Sequence, residues 1–217
     1  MQKKLNVVFM GTPDFAVESL KTLVENGIRV VAVVTAPDKP AGRGNKLKAS
    51  AVKRYAQQVS LPVLQPTNLK SEAFHQELQA YQPGLNAVVA FRMLPEAVWS
   101  MPPWGTVNLH ASLLPDYRGA APINHAIING EKETGVTTFF IEKTIDTGAI
   151  IDRKKLAIGQ NETAGELHDR LMKTGATLLL DTVHKIEAGK INPQNQQDLI
   201  DPGRPLKSAP KIHKADR

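Results

Sequence analysis

Three short runs in the chain, "LNVVFM" (5–10), "RVVAVVT" (29–35) and "NAVVAF" (86–91), carry apolar residues at consecutive positions, while a fourth strand, "GTVNLH" (105–110), sets Val107 and Leu109 between polar residues. A strand that faces water on one side alternates, whereas a strand apolar throughout must be covered on both faces. Between these runs lie segments with helical spacing. "GTPDFAVESLKTLVENG" offers Thr12 as N-cap, Pro13 as first helical residue, Asp14 at the positive end of the helix and Gly27 as its stop. Phe15, Val17, Leu20, Leu23 and Val24 supply its apolar face. Ser71 to Tyr81 and Pro95 to Ser100 read as further helices, and "LPVL" as a short strand. This alternation predicts a Rossmann-like α/β fold, a mostly parallel sheet with helices on both faces.

Beyond His110 the pattern changes. "GVTTFFIEKTIDTGAIIDRKKLAI" predicts a β-hairpin element near the C-terminal part of the sheet, turning near Asp146. "TAGELHDRLMKTGATLLLDTVHKIEAG" predicts one long helix that ends at Gly189. The expected division is a catalytic domain over 1–190 and a Pro-, Gln- and Lys-rich tail or linker over 191–217. At 217 residues and 41% hydrophobic composition the chain can build one sizeable core.

Composition removes several chemistries. The chain has no cysteine, so thiol nucleophiles, disulfides and thiolate metal sites are excluded. Gly11 leads from the first strand into a helix N-terminus, where an anion could sit or where the glycine simply permits a tight turn. The three spaced glycines of a dinucleotide site are missing, as is a Walker lysine motif. No run approaches the roughly 20 apolar residues of a membrane span, and a cytoplasmic, soluble monomer without a membrane partner or a bound metal is expected. Charge is concentrated. From Pro37 to Tyr55, Lys39, Arg43, Lys46, Lys48, Lys53 and Arg54 face a single Asp38, so nearly all of the formal net charge of +6 lies in one segment. A polyanionic partner or a solvated loop would each account for it.

The polar stretch "NLHASLLPDYRG" (108–119) closes a strand whose carboxyl end, in a parallel sheet, is where functional groups gather. Asn108 and His110, two apart, share one side of that strand. Asn108 offers an uncharged amide donor suited to an oxyanion, His110 a group that titrates near neutrality, and the turn holding Asp146 can return a carboxylate to them. An Asn/His pair satisfying turn hydrogen bonds remains an equal reading at this level.

Taken together, "NLHASLLPDYRGAAPINHAI" and "ETGVTTFFIEKTIDTGAII" resemble the folate-dependent formyltransferases, whose signature is Asn-x-His, Ser-Leu-Leu-Pro, Arg-Gly and a later Asp-Thr-Gly. The similarity runs from "VVFMGTPDFA" to about Leu156 and more loosely through the long helix. "GTPDFA" and the basic "APDKPAGRGNKLKASAVKRYA" resemble the branch that acts on transfer RNA. The resemblance implies formyl transfer from 10-formyltetrahydrofolate to the α-amino group of methionyl initiator tRNA, with Asn108, His110 and Asp146 catalytic. It implies folate contacts at Ser112, Leu113, Leu114 and Pro115 and at Arg92, Met93 and Leu94, and tRNA contacts at Lys39, Arg43, Lys46 and Lys48. Arg92 follows Phe91 where that branch more commonly has Tyr-Gly, so this pocket resembles the purine-pathway members. That branch also continues into a β-barrel domain, towards which the tail would lead. Acceptors such as a sugar nucleotide or glycinamide ribonucleotide, and a tRNA-binding module without transferase activity, are the alternatives.

Overall fold

A computed structural model describes residues 5–41 and 46–213, which fall into two units, Met1–Asn108 and Leu109–Arg217. In the first unit β1 (Val7–Gly11) leads into α1 (Asp14–Glu25) and β2 (Val30–Val34). A small antiparallel ribbon follows, β3 (Lys39–Ala41) with β4 (Lys46–Lys48), then α2 (Ala51–Gln58) and β5 (Val63–Leu64). Helix α3 (Glu72–Ala80), β6 (Leu85–Val89), α4 (Glu96–Trp99) and the first part of β7 (Thr106–His110) complete it. Its strands stand in the order β7-β6-β1-β2-β5, and the pairs of β1 with β2 and β6 and of β2 with β5 are parallel. β1 and β6 are buried at every position, as their apolar sequences require, and the one polar member, Asn86 of β6, donates to the Val98 carbonyl and to Thr106 Oγ1, both at 3.2 Å.

Helix α1 starts one residue later than its sequence suggests. Pro13 occupies the N-cap place with ψ 176° and no side-chain cap bond, and its carbonyl accepts the Ala16 N–H at 3.0 Å. Of the expected apolar face, Phe15, Leu20 and Leu23 are buried, while Val17 and Val24 are half-buried and Ala16 and Ser19 fill the interior instead. The basic segment is more ordered than a charge run suggests: α2 is capped by Ser50, whose Oγ accepts from Lys53 N at 3.0 Å, and Val52 and Ala56 are buried.

In the second unit the end of β7 is followed by β8 (Arg118–Gly119), α5 (Pro122–Ile128), β9 (Glu133–Phe140), β10 (Ile150–Ala157) and α6 (Ala164–Glu187). β9 pairs with β10 in the antiparallel register of the expected hairpin. α6 opens with a capping box between Thr163 and Glu166 and lays Leu167, Leu171, Leu179, Val183 and Ile186 into the core against β9 and β10. Gly175 admits Leu109 of β7 so closely that a Cβ there would stand 2.8 Å from Leu109 Cδ2.

The segment after α6 is fastened to this unit. Gln194 and Ile150 exchange two backbone hydrogen bonds of 2.8 Å, a 3-10 turn spans Gln196–Leu199, and β11 (Ser208–Ala209) pairs in parallel with β8. No helix among the described residues is long and apolar enough to cross a membrane.

Candidate active site

His110 ends β7 with 7% of its surface exposed. Its Nε2 lies 2.8 Å from the Tyr117 carbonyl, which can only accept, so Nε2 carries a proton in either charge state of the ring. Tyr117 turns its carbonyl inward through a left-handed φ of 61°. His110 Nδ1 is therefore the atom left for chemistry, and it faces Asp146 Oδ2 at 3.8 Å.

Asp146 sits in the turn between β9 and β10, itself at a left-handed φ of 53°. Its Oδ2 accepts from the Gly119 N–H at 2.9 Å. Its own carbonyl and that of Gly148 accept from Gln196 Nε2 at 2.9 and 2.8 Å. Gly148 is obligatory here, since a Cβ would meet the Phe140 carbonyl oxygen at 1.8 Å. Thus two of the three expected catalytic residues are brought together by β8 and the hairpin turn. The third, Asn108, stands two residues before His110 on β7, half-buried, and its amide makes no hydrogen bond among the described residues.

The Ser112–Pro115 turn is pinned from several sides. Thr137 Oγ1 donates to the Ser112 carbonyl at 2.7 Å and accepts from Leu114 N at 3.2 Å. Ser112 Oγ donates to the Asp116 carbonyl at 2.8 Å, and Arg153 Nη1 to the Leu114 carbonyl at 3.1 Å. Here the side chains depart from an apolar surface offered to a flat ligand. Ser112, Leu114 and Pro115 are interior, Leu114 packing with Phe139, Ile150 and Leu199, and only Leu113 is partly exposed. The apolar residues of the turn fill the core beneath β9 because burial outweighs leaving them open to solvent.

In the first unit, Arg92 donates through Nη1 to the Thr67 carbonyl at 3.1 Å and through Nη2 to the Pro66 carbonyl, and its guanidinium lies 5.7 Å from the Phe91 ring centre. Burial holds its pKa below the usual arginine value. Met93 is 72% exposed and Leu94 is buried. Lys39 and Lys48 are exposed partners in the β3–β4 ribbon, and Lys46 opens β4. Arg43 lies outside the described residues. Lys53 is tied to Asp38 at 2.6 Å, which keeps that carboxyl below its ordinary range. Among the described residues no three His, Asp or Glu side chains gather as metal ligands.

Gln196 and Tyr117 escape a reading by motif. Gln196 reaches Asp146 across 50 residues of chain, and Tyr117 contributes a carbonyl that any residue carries. The positive φ at Tyr117 has no glycine to announce it.

Residues 3–183 match the formyl transferase family. Methionyl-tRNA formyltransferase of Flavobacterium johnsoniae is 58% identical over 212 residues, covering 98% of this chain and 66% of that protein. The protein of the same name from Porphyromonas gingivalis is 56% identical over 217 residues, 99% of this chain and again 66% of its own length. The chain therefore spans just under two thirds of these relatives. Among solved structures, phosphoribosylglycinamide formyltransferase from Anaplasma phagocytophilum superposes with a TM-score of 0.73 at 19% identity, over 97% of this chain and 100% of that one. An N-formyltransferase from Helicobacter canadensis gives 0.70 at 23% identity, over 98% and 72%. These last two share the fold.

Proposed function

The chain belongs to the formyl transferase family, and from that membership we propose that it moves the formyl group of 10-formyltetrahydrofolate onto the α-amino group of methionyl initiator tRNA. The observation that carries the chemistry is the approach of His110 Nδ1 to Asp146 Oδ2 at 3.8 Å with Nε2 already committed to Tyr117. In this transfer the amine nitrogen bonds to the formyl carbon, the bond from that carbon to N10 breaks, the amine gives up a proton and N10 gains one. No enzyme nucleophile is needed, consistent with a chain that has no cysteine.

The protein's work is then to hold the reactants in line, bind the oxyanion and move protons. Asn108 supplies an amide donor, and His110 presents Nδ1, the ring nitrogen left free by the Tyr117 carbonyl. One such donor is commonly worth about 10²–10³ in turnover. Asp146, whose side chain is 14% exposed, receives the proton of the attacking amine through water and returns it by way of His110. Arg92, Met93 and Leu94, with Ser112, Leu113, Leu114 and Pro115, are the folate contacts of this reading; exposed Met93 and half-buried Leu113 offer side chains and the buried members their main chain.

The acceptor follows from the basic ribbon and the comparisons. Lys39 and Lys48 stand directly opposite one another, an arrangement that costs free energy unless an anion lies near. In this reading Lys39 and Lys48 contact phosphates, as the family resemblance also implies for Lys46 and Arg43, the latter outside the described residues. Relatives named for methionyl-tRNA stand at 56–58% identity, against 19–23% for the ribonucleotide and sugar enzymes, which favours the tRNA acceptor. The test incubates the chain with 10-formyltetrahydrofolate and either methionyl initiator tRNA, free methionine or an amino sugar. Transfer to the charged tRNA alone is expected; transfer only to the sugar overturns the substrate assignment.

A further inference from the structure

We propose that Gln196 is the positioning residue of Asp146, and that the segment after α6 is thereby part of the transferase site. The inference rests on the reading of Asp146 given above. Gln196 is 1% exposed. Its Nε2 donates to the carbonyls of Asp146 and Gly148 at 2.9 and 2.8 Å. Its Oε1 accepts from Arg118 Nε at 3.1 Å and Arg118 Nη2 at 2.6 Å. The amide thus bridges the two pieces that set the carboxylate. The hairpin turn supplies the backbone of Asp146, and β8 supplies Gly119, whose N–H holds Oδ2 at 2.9 Å.

Only an amide of this length meets both sides. Two carbonyls require a donor group with two protons, and a guanidinium requires an acceptor. A glutamate there would accept from Arg118 but confront two carbonyl oxygens, and an apolar residue would leave all three partners unmet. Burial also works against the Arg118 charge, while Asp146 and Asp116 favour it, so the guanidinium depends on such an acceptor. Asp146 stands at a left-handed φ of 53°, a conformation that surrounding bonds must impose on a residue with a side chain. Fixing its carbonyl fixes the direction in which its carboxylate reaches His110.

The segment does not depend on Gln196 for docking. The Gln194–Ile150 bridge, Leu199 against Leu114, Phe139 and Ile150, and the β8–β11 pair hold it on either side. Gln196 variants therefore separate positioning from folding. In the full chain, Gln196→Ala and Gln196→Met, the latter refilling the volume without hydrogen bonds, are compared with the parent for kcat, KM and pH–rate profile, alongside Asp146→Asn and the double variant Asp146→Asn/Gln196→Met. The expected result is a fall in kcat of about 10–100-fold, the scale usual for residues that orient a reacting group, with both KM values within about twofold. The acid limb of the profile moves, and the double variant is no slower than Asp146→Asn alone. An unchanged kcat and profile in Gln196→Met, or full additivity in the double variant, overturns the proposal while leaving Asp146 in place. Near-parent turnover in Asp146→Asn instead removes the reading beneath it.

Discussion

The carboxylate oxygen of Asp146 that faces His110 Nδ1 at 3.8 Å is the same atom, Oδ2, that accepts the Gly119 N–H at 2.9 Å. One oxygen is therefore both anchored and reactive, and its place is set by main chain on one side and imidazole on the other. Replacing the carboxylate by an amide keeps an oxygen for Gly119 but removes the negative charge beside Nδ1 and the group that accepts a proton. Asp146→Asn is expected to lower single-turnover formyl transfer by about 10²–10⁴-fold, with little change in thermal midpoint. His110→Ala should do the same, and the two losses should fall well short of additive. Turnover near that of the parent in either variant would remove the pair from the chemistry.

The hairpin turn that carries Asp146 is built around Gly148. A Cβ there would lie 1.8 Å from the Phe140 carbonyl, a backbone atom that cannot swing aside, so Gly148→Ala must displace the turn. It should cost about 1–3 kcal/mol in urea denaturation and lower kcat in the same sample. Gly130→Ala is the comparison: its φ of 63° is left-handed, but a Cβ there would meet nothing within 4 Å. That variant should lose about 1 kcal/mol and retain turnover. Equal catalytic loss in both would mean that the effect is general destabilisation.

Much of this was legible in sequence because it depends on local pattern. The consecutive apolar residues of β1, β2 and β6 carry their own evidence of two-sided burial, and α6 shows its helical spacing over 24 residues. Asn108, His110 and Asp146 could be picked out because their types and order match a family signature. The β3–β4 ribbon and α2 were hidden by their charges, which dominate composition while Val52 and Ala56 quietly supply the buried face. Gln196 was hidden for another reason. Its partners are 48 to 78 residues away, and a glutamine in a polar tail has no periodicity to give it away. The burial of the Leu114 side chain could not be read from its motif, which gives the residue type and not the direction the side chain takes.

A second attachment of the tail depends on pH. Glu131 accepts from Lys207 Nζ and from the Tyr117 hydroxyl, which also accepts from Asn129 Nδ2 at 3.0 Å. Burial pushes the Glu131 carboxyl upward, but the hydrogen bonds from Lys207 and Tyr117 outweigh it and hold the group below its ordinary 4.5. The hydrogen bond to Glu131 holds Lys207 above its ordinary 10.5. A lowered acid stabilises the fold above its unfolded pKa and loses that contribution as pH falls through the folded value. A raised base stabilises below its unfolded pKa and loses the contribution as pH rises through the folded one. The Tm difference between the parent and Glu131→Gln should thus be largest between about pH 5 and 10 and shrink in acid. A difference that does not vary with pH would show that charge is not what fastens Lys207.

The basic ribbon offers a test that does not touch the transfer chemistry. Lys39 and Lys48 face each other across the ribbon and are exposed, whereas Lys53 is engaged by Asp38 at 2.6 Å. Only a cation with no internal partner releases condensed counterions when it meets a phosphate, so the first two should count towards salt dependence and the third should not. Each of Lys39→Gln and Lys48→Gln is expected to raise KM for the charged tRNA and to reduce the slope of log affinity against log salt by about 0.9. Both should leave single-turnover transfer at saturating tRNA unchanged. Lys53→Met should leave the slope as it is and instead lower Tm slightly, because it strips Asp38 of its partner. If Lys53→Met flattened the salt slope as much as Lys48→Gln, the ion pair with Asp38 would have to open on binding, and the assignment of the two exposed lysines as the phosphate contacts would fail.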